Sequence, residues 1–399
     1  MFELNFILQD RLLIQGLFVA VASIAAFPFL IWLGECTATA KKDTKAAEQL
    51  RTLSDDIETL HIIILVHGLQ NTPKSMKGIQ DALEKRVSQS DKNTAVVIHN
   101  SNSNVGKTCG GILPCGKRLA QEVNDLVSTV TNRPSKITLS FFGNSLGGLI
   151  ARAALPDIHW NHIQPHIFCS TNSPHLGSKG CMIFPSPTWF EYMVSSLHGT
   201  SLMDLFRFTD CMEQLQHPKA LQRLSSFQKR IAYATVHRTD FQVPTHTAVF
   251  LCGRNDTTHD CVPGYSQECP FVVQTFTTSK SEDESHISLE DDHDDQDWID
   301  HHAPRLDAMG WTKVFCDVRT CLPYLPWFVE HPKDASNNKG NEWTSNRIRT
   351  TFCAPTPGRL YAPLAHLVFT AMLSGFTWRG QTVVHAIAAR FMEDVLSEE

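Results

Sequence analysis

Residues 137–142 (ITLSFF) form a short apolar, β-rich run that ends directly at Gly143-Asn144-Ser145-Leu146-Gly147-Gly148, and a helical stretch, LIARAAL, begins at once. A strand that reverses into a helix this quickly needs small residues at its corner. Gly143 and Gly147 supply them in the pattern G-x-S-x-G, which lifts Ser145 above the end of a sheet. The N-terminus of the following helix then stabilises negative charge developing beside the serine. A serine hydroxyl is a poor nucleophile until a base takes its proton. Ser145 is therefore a candidate nucleophile, and the rest of the chain must supply a base.

The surrounding chain fits a parallel sheet. Residues 60–66 (LHIIILV) are a continuous apolar run suited to a strand buried on both faces. Met76, Ile79, Leu83 and Val87 recur at helical spacing, 95–98 (AVVI) reads as a second strand, and Leu119, Val123, Leu126 and Val130 mark a second helix. Strand, helix, strand, helix in this order predicts right-handed βαβ units. Further strands are expected near Ile167 and over 231–236, 248–251 and 314–318. A last amphipathic helix is expected around Val384, Ile387, Ala388, Phe391 and Val395. Residues 176–230 carry no comparable strand but many large apolar groups, among them Trp189, Phe190, Tyr192, Met193, Leu197, Leu202, Met203, Leu205 and Phe206. They read equally as a cap over an apolar pocket or as ordinary helix core.

Residues 12–34 are 23 consecutive positions without a charge. At ~1.5 Å rise per residue such a helix crosses a hydrocarbon layer of ~30 Å. We read 1–40 as a single-pass transmembrane anchor and 41–59 as a polar linker. The body, 60–399, holds the cap at 176–230 and an acidic loop at 281–302. A cleavable signal peptide ending at Ala38-Thr39-Ala40 competes with the anchor reading. Lys41, Lys42 and Lys45 after the span, against Arg11 before it, place the body on the cytoplasmic side. Twelve cysteines, with Cys109 and Cys115 or Cys316 and Cys321 as conceivable bridges in a lumenal protein, leave the side open. A net charge of -6 excludes the basic footprint of a nucleic-acid-binding protein. Ten carboxylates fall between Glu282 and Asp300 without a lysine or arginine, but their spacing fits no calcium loop, so no metal and no cofactor is expected.

His67-Gly68-Leu69, at the end of the first strand, fits the other half of an acyl-transfer site. Such chemistry needs two backbone N–H groups aimed at a tetrahedral oxyanion, and Leu69 and Leu146 are placed to donate them. His67 lies upstream of Ser145 and of the acid that would serve it, which breaks the Ser, Asp, His order of such sites, so it is read as structural.

With LVHGL (65–69), GGILPCGKRLAQEV (110–123), SFFGNSLGGLIAR (140–152), STNSPHLGS (170–178), YATVHRTDFQVP (233–244) and YAPLAHLVF (361–369), the chain resembles the lipase-like serine esterase family of the α/β-hydrolase superfamily. The resemblance implies an α/β-hydrolase fold, a mostly parallel sheet with helices on both faces, and action on lipid or other acyl esters. It places the nucleophile at Ser145, the acid at Asp240 and the base at His366, in a loop before an apolar run. Asp256 and Asp260 compete for the acid, because VFLCGRND also reads as a strand followed by an acid loop. Asn71 stands where a glycine is expected, which leaves the turn of the oxyanion loop open, and Gly110 stands where that block often has an acidic residue. Gly106-Lys107-Thr108 is no phosphate loop, since Ser101 occupies the position of its first glycine. His302 and Asp307, at H-x-x-x-x-D spacing, lack supporting context. An acyl thioesterase and a non-catalytic scaffold that binds a lipid or protein partner are the rival readings.

Overall fold

The computed structural model describes residues 44–87, 92–130, 134–179, 187–240, 242–253, 258–262, 269–280, 295–322, 324–326, 342–354, 359–361, 365–369 and 380–397. Among the described residues eleven strands run in chain order as β1 Thr59–Val66, β2 Thr94–Asn100, β3 Lys136–Asn144, β4 Gln164–Thr171, β5 Lys229–Thr235, β6 Thr258–Cys261, β7 Val272–Thr277, β8 Thr312–Cys316, β9 Tyr324–Pro326, β10 Trp343–Thr344 and β11 Arg359–Tyr361. Nine of them form one sheet in the order β10-β6-β7-β8-β5-β4-β3-β1-β2, and β9 and β11 pair separately. The strands from β2 to β8 in that order are all parallel. β7, β6 and β10 extend the edge in antiparallel pairing.

The continuous apolar run of β1 is the consequence of burial on both faces. Leu60, Ile62, Ile64 and Val66 enter one core, with the helices Ile112–Val127 and Leu146–Ala154. Ile63 and Leu65 enter the other, where Ile79 and Leu83 of Lys77–Val87 meet Val383, Val384 and Ile387 of Gly380–Leu396. Helices thus cover both faces of a mostly parallel sheet. Each fully buried aliphatic side chain contributes roughly 1.5–3 kcal/mol.

β1 pairs with β2 on one side and β3 on the other. The chain leaves β1 in one direction for β2 and later fills the other side, so the strand order reverses between β1 and β3. Ligand sites of open α/β sheets form at such switch points. Gly68 and Ser145 follow the last residues of these two strands.

Two sequence expectations need correction. Residues 248–251 are not a strand: Pro244 opens the short helix Thr245–Ala248, and Phe250 has φ 47°. The run is apolar because Ala248, Val249, Phe250 and Leu251 are core residues of a buried loop, a case that pattern alone does not separate from a strand. The end of the acidic stretch is helical, within Asp295–Asp307, because Ile299, Ala303 and Leu306 form a buried stripe at helical spacing. No disulfide joins Cys109 to Cys115 or Cys316 to Cys321. The apolar span 12–34 lies outside the described residues, and among the described residues no helix is long and apolar enough to cross a membrane.

Candidate active site

Ser145 sits at φ 57°, ψ -128°, a backbone conformation that side chains other than glycine rarely adopt. The strain is held from three directions. Its N–H donates to Thr171 O of β4 at 2.9 Å, its carbonyl accepts from Gly148 N at 3.2 Å, and β1 presses on the helix that follows. A Cβ at Gly147 would lie 2.1 Å from Val66 O, and one at Gly143 would lie 2.5 Å from Gly148 N. Both positions of the pattern are therefore closed to any larger residue. Gly68 passes directly over the serine: a Cβ there would lie 2.8 Å from Ser145 Cβ and 3.2 Å from its Oγ.

The acid loop leaves β5 through left-handed turns at His237 (φ 60°) and Arg238 (φ 53°) and presents Asp240. Its Oδ1 accepts from the N–H groups of Gln242 (2.8 Å) and Val243 (3.1 Å). Its Oδ2 accepts from Asn172 Nδ2 at 2.9 Å and from His366 Nδ1 at 2.8 Å. Both carboxylate oxygens are thus engaged, and both side chains of the Asp240–His366 pair are buried. A carboxylate only accepts, so the proton of a neutral His366 ring sits on Nδ1 and Nε2 keeps its lone pair. His366 is the second residue of the short helix Ala365–Val368 rather than part of a loop, and Ala365 N donates to Thr239 O at 3.1 Å, tying that helix to the acid loop. Of the competing acids, Asp260 is an exposed residue of β6 paired with Thr277, and Asp256 lies outside the described residues.

The residue that sequence reasoning missed is Asn172. It follows β4 at φ 45°, a region asparagine tolerates better than most residues. Its N–H donates to Tyr233 O (2.8 Å), its Oδ1 accepts from Thr235 N (3.0 Å), and its Nδ2 holds Asp240. One side chain therefore fastens the ends of two strands and the acid. The signal was present in STNSPHLGS, whose other members also have structural tasks. His175 Nε2 meets Ser170 Oγ at 2.9 Å, and the fully buried Arg152 donates to the carbonyls of His175 (3.2 Å) and Leu215 (2.9 Å).

The loop after β1 begins with His67, whose Nδ1 lies 3.1 Å from Gly68 O and whose Nε2 is buried without a hydrogen-bond partner. Burial lowers its pKa against the pull of that carbonyl and of Glu122, so the ring is neutral and structural. Leu69 follows, half-buried, and Gln70 turns left-handed at φ 51°. Asn71 Nδ2 donates back to Leu69 O at 3.3 Å, so a side chain braces the turn where a glycine was expected. Leu146 opens the helix after Ser145 and is buried.

The segment after β2 is fixed by Glu122, which accepts from His99 Nε2 (3.1 Å), Asn102 N (2.9 Å), Ser103 N (3.2 Å) and Ser101 Oγ. Burial pushes this carboxyl up, but the bond and charge of His99 and the bonds from Ser101 and Asn102 prevail and bring it down to about 2.

In the 176–230 segment the helices are Thr188–His198, Thr200–Leu205, Cys211–Leu215 and Pro218–Ser225. Its apolar residues divide. Leu205 and Phe206 join the core, whereas Trp189, Tyr192, Met193 and Leu197 are exposed, Leu197 at 78%. His302 and Asp307 are not brought together with Asp240: His302 packs at a tilt against Trp298, and Asp307 pairs with Lys313 at 2.5 Å.

Residues 56–254 match the family described as "Putative serine esterase (DUF676)". "Putative lipase YDR444W" of Saccharomyces cerevisiae is 25% identical over 278 residues, which cover 58% of this chain and 40% of that protein. "Putative lipase ROG1" of the same yeast is 26% identical over 206 residues, covering 48% and 28%. The chain thus spans less than half the length of either relative. Among solved structures, Aspergillus fumigatus lipase B is similar at 15% identity and a TM-score of 0.31, covering 46% of this chain and 39% of the lipase. Trichoderma reesei cutinase in complex with a C11Y4 phosphonate inhibitor is similar at 14% identity and a TM-score of 0.22, covering 49% and 90%.

Proposed function

The chain belongs to the serine esterase family matched by its residues 56–254, and from that premise we propose that it is a serine hydrolase that cleaves acyl esters of lipids through an acyl-enzyme. The observation that carries the reading is the buried 2.8 Å bond between His366 Nδ1 and Asp240 Oδ2, made by a chain whose Ser145 is held in a strained turn at the switch point of the sheet.

In this reading His366 Nε2 takes the proton of Ser145 as Oγ attacks the ester carbonyl, and the N–H groups of Leu69 and Leu146 hold the oxyanion. Each such donor is worth about 3 kcal/mol in the transition state. The imidazolium, stabilised by ionised Asp240, returns its proton to the departing alkoxide as the carbon–oxygen bond breaks. A water molecule, deprotonated by the same nitrogen, then attacks the acyl-enzyme, and Ser145 leaves with the proton.

The uncharged 12–34 segment supports a lipid over a water-soluble ester. Residues 1–40 anchor the chain in one pass, 41–59 connect it, and 60–399 form the hydrolase on the cytoplasmic side, with 176–230 as its cap. Carbonate extraction and protease protection of membranes test that arrangement, and release of the full-length chain by carbonate refutes the anchor.

The decisive test of the chemistry is labelling by a fluorophosphonate probe. Wild type is expected to label, and Ser145→Ala and His366→Ala are expected not to. A folded wild type that takes no label refutes the hydrolase reading.

A further inference from the structure

The loop that carries Leu69 is held by a residue far from it in the sequence. Gln70, the residue after Leu69, adopts φ 51° although it is not a glycine, so something outside the loop must fix it. Gln70 N donates to Thr108 Oγ1 at 2.8 Å. This bond orients the peptide between Leu69 and Gln70. Thr108 is completely buried, and it belongs to the Gly106-Lys107-Thr108 stretch that has no role in phosphate binding.

Thr108 is in turn gripped by the cap segment. Ser201, in the helix Thr200–Leu205, is fully buried, donates its hydroxyl to Thr108 O and accepts from Gly111 N at 2.9 Å. Ser201 N donates to Cys109 O at 3.2 Å. Gly199, just before this helix, has φ 105°, and a Cβ there would lie 2.7 Å from Cys109 O, so the close approach admits no side chain. Three residues on from Ser201, Asp204 Oδ2 accepts from Ile112 N at 2.8 Å and fixes the start of the helix Ile112–Val127. The loop from Thr108 to Gly111 is therefore clamped along its length.

We propose that Thr108 is a positioning residue for the oxyanion hole, and that the helix bearing Ser201 sets Thr108, so that the cap segment and the oxyanion loop form one mechanical unit. The inference rests on the serine hydrolase reading and adds to it a residue that touches neither substrate nor nucleophile. Loss of the Thr108 hydroxyl frees Gln70 N and lets the Leu69 N–H drift from the line it must hold when the oxyanion forms. Ground-state binding is untouched, because the hydrogen bond to the oxyanion exists only in the transition state. Small displacements of this kind cost rate steeply, though less than deletion of a donor itself.

The test uses the full chain in detergent, a short-chain aryl ester as substrate, and the second-order rate of fluorophosphonate labelling as an independent measure of Ser145 reactivity. Thr108→Val, which keeps shape and removes the hydroxyl, is expected to lower kcat about tenfold and to leave KM within twofold. Thr108→Ser is expected to recover most of the loss, and Ser201→Ala to lower kcat in the same direction with KM again unchanged. Labelling rates should follow kcat. An unchanged kcat in both Thr108→Val and Ser201→Ala, an effect confined to KM, or a Thr108→Ser as slow as Thr108→Val overturns the inference while leaving the hydrolase reading intact. If Thr108→Val does not fold, Ser201→Ala and Thr108→Ser carry the comparison. A wild type that neither hydrolyses the ester nor labels refutes the hydrolase reading and, with it, this one.

Discussion

Replacing Asn172 by aspartate changes one group in the site and very little else. The two residues have the same shape and both tolerate the left-handed backbone that position 172 adopts. Aspartate keeps an oxygen for the N–H of Thr235, which now stands 3.0 Å from Asn172 Oδ1. What is lost is the Nδ2 donor 2.9 Å from Asp240 Oδ2, and what replaces it is a second carboxylate oxygen at that spot. A hydrogen bond to a charged group is worth ~1.5–3 kcal/mol, and two carboxylates in contact repel, so a loss of roughly 3 kcal/mol of stability at neutral pH is expected. The catalytic effect has a definite sign. A like charge against Asp240 Oδ2 disturbs the 2.8 Å bond by which that oxygen orients His366 Nδ1. In the proposed hydrolase reading kcat/KM at pH 7 should therefore fall, by about tenfold. Asn172→Leu, by contrast, removes the donor and also orphans the Thr235 N–H, adding ~1–3 kcal/mol of instability without adding charge. The assays are urea unfolding and ester hydrolysis, both at pH 7. An Asn172→Asp protein that is destabilised but keeps the wild-type kcat/KM would show that Asn172 serves the fold alone.

Two further predictions concern charges away from the serine. Glu122, drawn down to about 2 from an ordinary value near 4.5, contributes roughly 3 kcal/mol that is fully present above pH 4.5 and is lost as pH falls through about 2. Glu122→Gln should cost up to that much at pH 7, and its difference from wild type should shrink on acidification in urea unfolding; a gap independent of pH would rule the linkage out. Lys313 is wholly buried with Nζ 2.5 Å from Asp307 Oδ1 and 2.9 Å from His259 Nε2, and burial holds the Asp307 carboxyl up to about 6 despite that lysine. Lys313→Met should cost ~3–5 kcal/mol by stranding the acid, and adding Asp307→Asn should restore most of it. Simple additivity in the double-mutant cycle would count against the pairing.

The parallel half of the sheet was legible because strands buried on both faces carry unbroken apolar runs, as β1 and β3 do. Its antiparallel edge was not. β6 reads THDC and β7 reads VVQTFT, and neither alternates cleanly, since part of each faces solvent. The elbow was legible because steric closure at Gly143 and Gly147 leaves a fixed sequence pattern. Asn172 was not, because a polar residue in a loop announces nothing until its three partners, which come from β5 and the acid loop, are in place. The helix Asp295–Asp307 was hidden by its charges: a stripe of three buried residues does not stand out within a run of acids. Position 366 could be chosen only through a family resemblance, since its partner Asp240 is 126 residues away.

That separation has a consequence for how the protein comes to exist. Gly68, Ser145, Asn172 and Asp240 follow the ends of β1, β3, β4 and β5, and His366 arrives only after β8 has been laid down beside β5. No local segment contains two of Ser145, Asp240 and His366, so each pairing among these residues waits on long-range docking. Closing loops of this length carries an entropic cost that must be met before any of their contacts form. A chain released before residue 366 carries Ser145 and Asp240 without His366. Under the proposed hydrolase reading, activity is expected to be a late reporter of assembly, silent until the C-terminal part of the chain has docked.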